Sequence, residues 1–314
     1  MSLLSSIYGV IVRARNAGYD RGLLDSHALA GPVISVGNIS AGGSGKTPFV
    51  MLLGELLKAR GVRFDVLSRG YGRESRGVLL VDPGGLPQRF GDEPLLIARK
   101  LQVPVVVGED RYDAGRFAES KFGPQVHLLD DGFQHRALAR DFDIVLLTPQ
   151  DANDKLLPAG RLREQLSSVR RAHVVVLASG ASPDSFPLQE KLVWRVKRGI
   201  APQDVPSRPV VFCGIARPQS FILQLRAANV EPVAEALYRD HHAYTAQDVR
   251  ELLGLKQKSE AGGFVTTEKD AINLGPYLSA LEPVCIVPVR MELLDAANAL
   301  DTMLRTIDER KRRA

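Results

Sequence analysis

The 314 residues, 45% hydrophobic and 25% charged, suit an ordinary soluble globular protein long enough for one large domain or two smaller ones. Cys213 and Cys285 are the only cysteines, which excludes a disulfide framework and a CxxC metal site and fits a reducing compartment. No run of about 18 apolar residues offers a membrane-spanning helix, and the first residues lack the pattern of a secretory signal. The net charge of +5 is concentrated at one end: residues 1–80 hold ten Lys/Arg against five acids. Such a segment suits phosphate, nucleic acid or an anionic membrane surface, or only keeps the chain soluble.

Residues 1–17 read as a helix, with Leu3, Leu4, Ile7, Tyr8, Ile11 and Ala14 near one face. Arg13, Arg15 and then Arg21 lie toward its end. A short basic amphipathic helix of this kind either lies in a membrane interface or packs on its own domain. After a loop over 26–31, Pro32 starts a β-branched strand that runs through Val36-Gly37-Asn38 into a glycine-rich loop closed by Gly45-Lys46-Thr47. A helical pattern follows from Phe49. Strand, loop and helix in this order are the context of a phosphate-cradling P-loop. Ser40, Ala41, Gly42, Gly43, Ser44, Gly45, Lys46 and Thr47 are its candidate nucleotide-binding residues. The glycines let backbone N–H groups turn inward, Lys46 would reach the β- and γ-phosphates, and Thr47 would hold Mg²⁺. Ser40 stands where the usual pattern has its first glycine. The competing reading is a glycine-rich turn with an incidental lysine.

The helix runs to Arg60, and Gly61 ends it. A strand over 62–68 leads into Ser68-Arg69-Gly70-Tyr71-Gly72-Arg73, which places Arg69 near the nucleotide edge. A strand over 78–82 and the turn Pro83-Gly84-Gly85 make 73–90 a hairpin able to act as a lid. Asp92, in Gly91-Asp92-Glu93-Pro94, sits at the N-cap of a helix over 95–101. A strand (103–107) and a helix (110–121) follow. The next strand, 126–131, ends in Asp130 and Asp131, where a P-loop protein sets a carboxylate beside Mg²⁺. Beyond the strand 142–147, the loop 156–164 brings Arg163 and Glu164 toward the same edge, before a strand at 173–178. This alternation predicts a P-loop-type, doubly wound, mostly parallel α/β sheet.

A Ser/Pro-rich shift over 180–208 places a domain junction near 200–208, with a P-loop domain over 1–205 and a smaller α/β domain over 206–314 that closes over the site. Its elements are strands at 210–213, 232–237, 264–266 and 284–287, and helices at 218–229, 246–253 and 293–310. The loop after Leu237 carries Asp240-His241-His242.

A P-loop with an acid-ended strand binds nucleotide and Mg²⁺ without choosing between hydrolysis, phosphoryl transfer and a switch. Thr267-Glu268-Lys269-Asp270 is a poor guanine-reading segment, because Lys and Asp are adjacent. A kinase acting on a hydroxyl needs a base, and Asp92, Asp131, Glu164 and His241 are candidates. A carboxylate bonded to an imidazole would have fixed geometry, but Asp92 and His241 meet only if the second domain folds over the P-loop edge. Asp92 is equally a helix cap, His241 and His242 read first as exposed loop histidines, and His127 on its apolar strand reads as a satisfied core histidine.

The P-loop with its Val-Gly-Asn lead-in, Ser68-Arg69-Gly70-Tyr71-Gly72, Gly91-Asp92-Glu93-Pro94, Asp130-Asp131-Gly132-Phe133-Gln134-His135, Leu157-Pro158-Ala159-Gly160-Arg161-Leu162-Arg163-Glu164, Asp240-His241-His242 and Thr266-Thr267-Glu268-Lys269-Asp270 occur together in this order. The set resembles the tetraacyldisaccharide 4′-kinase (lipid A 4′-kinase) family over nearly the whole chain. The resemblance implies transfer of the ATP γ-phosphate to the 4′-hydroxyl of a tetraacylated glucosamine disaccharide 1-phosphate. It implies Asp92 as base with His241 as its partner, and Lys46 on the transferring phosphoryl group. Thr47, Asp130, Asp131 and Glu164 would manage Mg²⁺, with Arg69 and Arg163 at the edge. It also implies a peripheral enzyme on the cytoplasmic face of the inner membrane, which favours an interfacial role for the first helix. No nucleic acid and no obligatory protein partner are expected. The alternatives are a nucleotide-driven switch or chaperone acting on a protein, and a membrane-interaction module without catalysis.

Overall fold

The computed structural model describes residues 3–178, 180–188 and 191–312. Met1 and Ser2 of the expected first helix lie outside the described residues; the helix itself, α1, runs Leu3–Asp20. Strand β1 (Val33–Asn38) leads into α2 (Lys46–Ala59), whose buried Phe49, Val50, Leu53 and Leu57 form one stripe at helical spacing. Each such fully buried side chain contributes roughly 2 kcal/mol of hydrophobic stabilisation. There follow β2 (Phe64–Ser68), β3 (Leu79–Leu80), α3 (Pro87–Phe90), α4 (Asp92–Leu101), β4 (Val105–Val107), α5 (Arg111–Phe122), β5 (Val126–Asp130), β6 (Phe142–Leu147), β7 (Val174–Ala178) and β8 (Leu192–Ile200). The expected hairpin over 73–90 does not form. β3 pairs with β4 as an antiparallel edge, and the rest folds into turns and the single turn of α3.

The smaller sheet is built from β9 (Val210–Cys213), β10 (Ala234–Leu237), β11 (Phe264–Thr267) and β12 (Val284–Val287), all parallel, with α6 (Pro218–Ala227), α7 (Ala246–Lys258) and α8 (Glu268–Leu274) around it. The chain then crosses back. β13 (Val289–Leu293) pairs antiparallel with β8, and α9 (Ala296–Lys311) packs Ala299, Leu300, Met303 and Ile307 into the core of the larger body. The expected division at 205/206 is therefore corrected. The smaller lobe is an insertion, and residues after β12 complete the first sheet.

That larger sheet has nine strands in the order β13-β8-β7-β6-β1-β5-β2-β4-β3, and β1 lies near its middle. β5 inserts between β1 and β2, with Val36 opposite Asp130. The acid-ended strand therefore finishes directly beside the P-loop strand, at the carboxyl edge where α/β sheets bind ligands. The lobes meet where α8 packs on α4, with Ile272 reaching the large-lobe core.

Candidate active site

The P-loop begins in a lead-in clamped from outside. The Ala41 N–H donates to the Arg161 carbonyl and the Arg163 N–H to the Ile39 carbonyl, both at 2.7 Å, while Ser40 bridges to Leu162. The loop around 156–163 thus acts as an added edge to the P-loop. Gly42, Gly43 and Gly45 have φ of 70°, 62° and 86°, a region side chains rarely adopt, and Gly45 is the N-cap of α2. Asn38 links the two ends of the loop: its Nδ2 donates to the Ser40 carbonyl at 2.7 Å and its Oδ1 accepts from Lys46 Nζ at 3.1 Å. Thr47 is buried at the first turn of α2, and the Ser44 hydroxyl is buried without a partner among the described residues.

Close approach brings the acids in. A Cβ on Gly37 would lie 2.5 Å from Phe133 Cβ, so only glycine lets the Asp-Asp-Gly-Phe turn sit against β1. Asp131 lies 3.5 Å from Lys46 Nζ and accepts from Arg163 Nη1 at 2.9 Å. Burial works to raise its pKa, but Lys46 and Arg163 outweigh it and hold the group below its ordinary value. Asp130 accepts from the Ser68 hydroxyl at 3.3 Å through one oxygen, while its Oδ1 is buried with no partner among the described residues. Burial, with the negative charges of Glu93 and Asp131, pushes its pKa up. Arg111 is buried, and burial and the Arg69 charge act against its protonation while Asp131 and Asp130 favour it. The glycine cradle, the orphaned Ser44 hydroxyl and the half-coordinated Asp130 fit a polyphosphate with its divalent cation. Among the described residues no group of three His, Cys, Asp or Glu side chains is placed to cage a metal.

At the N-terminus of α4 the two lobes join in a charged network. Gly91, with φ of 89°, takes the N-cap position, so Asp92 is the first helical residue and not the expected cap. Asp92 is buried, and its Oδ1 accepts from the Glu93 N–H at 2.8 Å. His241 Nδ1 lies 2.9 Å from Asp92 Oδ2, and Asn273 Nδ2 donates to that oxygen at 3.2 Å. Lys269 Nζ lies 3.0 Å from His241 Nε2, 3.0 Å from Asp240, 3.6 Å from Glu93 and 3.7 Å from Asp92. With Lys269 donating to Nε2, the neutral imidazole carries its proton on Nδ1 and points it at Asp92. Burial works to raise the Asp92 pKa; the bond from His241 and the Lys269 charge outweigh it, and the net shift is downward. For His241 burial works downward, and Asp92 lifts the net value above the ordinary one. The loop bearing His241 is pinned by buried Asp270, which accepts from the Gly214 N–H at 2.7 Å and the Tyr244 hydroxyl at 2.8 Å.

Glu164 is a correction. Its carboxylate is clasped by both Arg171 nitrogens at 2.9 and 3.0 Å, by Asn16 at 2.7 Å and by Gln134 at 3.2 Å. With both oxygens occupied it braces α1 and the Gln134 turn and does not present itself as a metal ligand. His127 is satisfied by Asp65 and Glu119, as expected of a core histidine. His242 stacks on Tyr238, with ring centroids 4.5 Å apart. The sequence reading gave no role to Asn38, Glu93, Arg111, Lys269 or Asn273. Asn38 carried a signal in the Val-Gly-Asn lead-in, and Lys269 in the segment tested only for guanine reading.

A family model for LpxK, tetraacyldisaccharide-1-P 4′-kinase, matches residues 1–308. A tetraacyldisaccharide 4′-kinase of Koribacter versatilis is 51% identical over 321 residues, covering 99% of this chain and 100% of its own. One of Geobacter metallireducens is 36% identical over 320 residues, covering 94% of each. The crystal structure of an "apo" form of LpxK from Aquifex aeolicus in complex with ATP superposes with a TM-score of 0.79 at 35% identity, covering 97% of both chains.

Proposed function

The chain belongs to the tetraacyldisaccharide-1-P 4′-kinase family, and from that premise we infer that it transfers the γ-phosphate of ATP to the 4′-hydroxyl of a tetraacylated glucosamine disaccharide 1-phosphate. The observation that carries the reading is the Asp92–His241 pair, held by Lys269 and Asn273 at the helix terminus where the lobes meet. Asp92 is ionised at neutral pH, and it accepts the proton of the acceptor hydroxyl as that oxygen attacks phosphorus. His241, its Nδ1 proton directed at Asp92, fixes which carboxylate lone pair faces the hydroxyl. Lys46, oriented by Asn38, meets the charge on the transferring phosphoryl group, and the backbone N–H groups of 42–47 cradle the phosphates. Asp130 and Thr47 would hold Mg²⁺, with Asp131 bridging Lys46 and Arg163 beside it. When bound, Mg²⁺ offsets phosphate charge and aligns the donor.

The lipid acceptor calls for a membrane surface, and α1 supplies one. Its small and polar side packs on the body: the Ser5 hydroxyl donates to the Leu156 carbonyl and the Tyr8 hydroxyl to the Arg163 carbonyl. Its apolar side is left to solvent, with Leu3 77%, Leu4 65% and Ile11 61% exposed. Among the described residues no helix is long and apolar enough to cross a membrane. An exposed apolar stripe beside basic residues supports peripheral binding in the interface, and use of ATP as donor supports the cytoplasmic face of the inner membrane. The deciding experiment is transfer of radiolabelled phosphate from ATP to the acylated disaccharide. Asp92→Ala should lower kcat by orders of magnitude and leave ATP affinity nearly unchanged; wild-type turnover in that variant removes Asp92 as the base.

A further inference from the structure

Three groups from the smaller lobe converge on Asp92, and they ride on two separate pieces of chain. His241 comes from the loop after β10, and Lys269 and Asn273 come from α8. His241 is held in an unusual pose: its φ is 58°, a left-handed conformation uncommon for a residue with a side chain. Its N–H donates to the Gly214 carbonyl at 3.2 Å and to Asp240 Oδ1 at 3.1 Å. The loop lies close over Gly214, at the end of β9. A Cβ added there would lie 3.0 Å from the Arg239 carbonyl oxygen and 3.0 Å from the His242 Cβ.

One buried carboxylate joins the two pieces. Asp270 stands in the first turn of α8 and is fully buried. Its Oδ1 accepts from the Gly214 N–H at 2.7 Å and from the Tyr244 hydroxyl at 2.8 Å. Its Oδ2 accepts from the hydroxyl of Thr267, the N-cap of α8. Gly214 underlies His241, and Tyr244 lies three residues beyond it. Asp270 therefore ties both the base and the far end of the loop to the helix that carries Lys269 and Asn273. The Tyr244 ring is fixed edge-on against Phe212 and Tyr238, with centroids 5.8 and 5.1 Å apart, which aims its hydroxyl. Burial pushes the Asp270 pKa up, and its three hydrogen bonds and the Lys269 charge only partly oppose this. A carboxylate so desolvated adds little to stability; what it supplies is one rigid acceptor for three donors.

We propose that Asp270 is a positioning residue for the phosphoryl transfer: through Gly214 and Tyr244 it sets the His241 imidazole on Asp92, in register with the Lys269 and Asn273 of its own helix. It acts on the reaction through His241. The proposal deepens the reading of Asp92 and His241 as a pair and rests on it.

Tyr244→Phe and Asp270→Ala test it, each made in wild type and in His241→Gln, with turnover on ATP and the acylated disaccharide and NMR titration of His241. In wild type, Tyr244→Phe should lower kcat about fivefold and Asp270→Ala about twentyfold, one and two lost hydrogen bonds, with KM for ATP held within about twofold. In His241→Gln the same changes should cost less than about twofold, because the group they act through is gone. His241 titrates among Asp92 of α4, Lys269 of α8 and Asp240 of its own loop, with the Tyr71 ring 5.2 Å away. Burial lowers its pKa and Asp92 more than offsets that, so in both variants its titration should move down toward the ordinary value. The signal, one of six histidines, is assigned by its loss in His241→Gln. Tyr244→Phe keeps the ring packing and carries the test alone if Asp270→Ala does not fold. Full turnover in Tyr244→Phe with the His241 titration unmoved overturns the proposal. An equal loss in both backgrounds also overturns it, since that marks a role in holding the lobe together. Wild-type turnover in His241→Gln itself removes the reading of the pair, and the proposal with it.

Discussion

Replacing Lys269 by methionine separates the electrostatics of the base from its packing. The ammonium lies 3.7 Å from Asp92 and 3.0 Å from His241 Nε2, and both it and Asp92 are shielded from solvent, with side-chain exposures of 16% and 4%. At an effective dielectric of about 20, unit charges at that separation interact by roughly 4 kcal/mol. At about 1.36 kcal/mol per pH unit this is an upper bound of roughly three units on the Asp92 pKa. Protonation of His241, whose Nε2 would no longer accept from Lys269, recovers part of that. The sign follows from the protonation state: Asp92 must be ionised to act, Lys269 favours the ionised form, and its loss raises the pKa. The acid limb of a kcat/KM profile against pH should therefore move upward by about one to three units. ATP affinity should be unaffected, and most of the rate should return well above the new limb. A profile scaled down at every pH with its acid limb in place would refute the account, because it would mean that Lys269 acts by packing alone.

Two further outcomes follow from Glu164 and from the exposed side of α1. Glu164→Gln leaves Arg171 without its carboxylate in a buried site and should destabilise the fold by about 3 kcal/mol; urea unfolding measures this, and the Mg²⁺ dependence of turnover should stay as in wild type. Leu4→Glu with Ile11→Glu on the exposed side of α1 should reduce co-sedimentation with anionic vesicles at least tenfold and leave the melting temperature unchanged, because neither side chain is buried.

What the sequence disclosed and what it withheld have a physical pattern. β6, β9 and β12 were read at their observed bounds, because a short apolar run flanked by turn residues has few other ways to be buried. The P-loop was equally plain, since its glycines, lysine and threonine are contiguous. β13 was missed because Arg290 and Glu292 alternate with half-buried neighbours, so its five residues look like surface until β8 supplies a partner. Asp92 and His241 were each singled out as candidates, but their contact spans 149 residues and depends on α8 packing against α4. Glu164 misled because its position beside Arg163 brought it to the right loop, while Arg171, seven residues further on, turned its carboxylate away from the phosphates.

The return of the chain to the large sheet has a consequence for how the molecule is made. Leu293, Leu300, Met303 and Ile307 belong to the same core cluster as Ile34 and Phe49, so the body that carries the P-loop cannot finish folding until residues beyond 288 have been synthesised. The inserted lobe, whose four parallel strands lie within 210–287, has all of its own strands earlier. A nascent chain cut near residue 288 would have a complete small sheet beside an open-edged large one, with β8 unpaired on one side and the surface that α9 covers left apolar. Damage at the late-made end would thus be felt first at the nucleotide cradle, far away in sequence, rather than in the lobe that immediately precedes it.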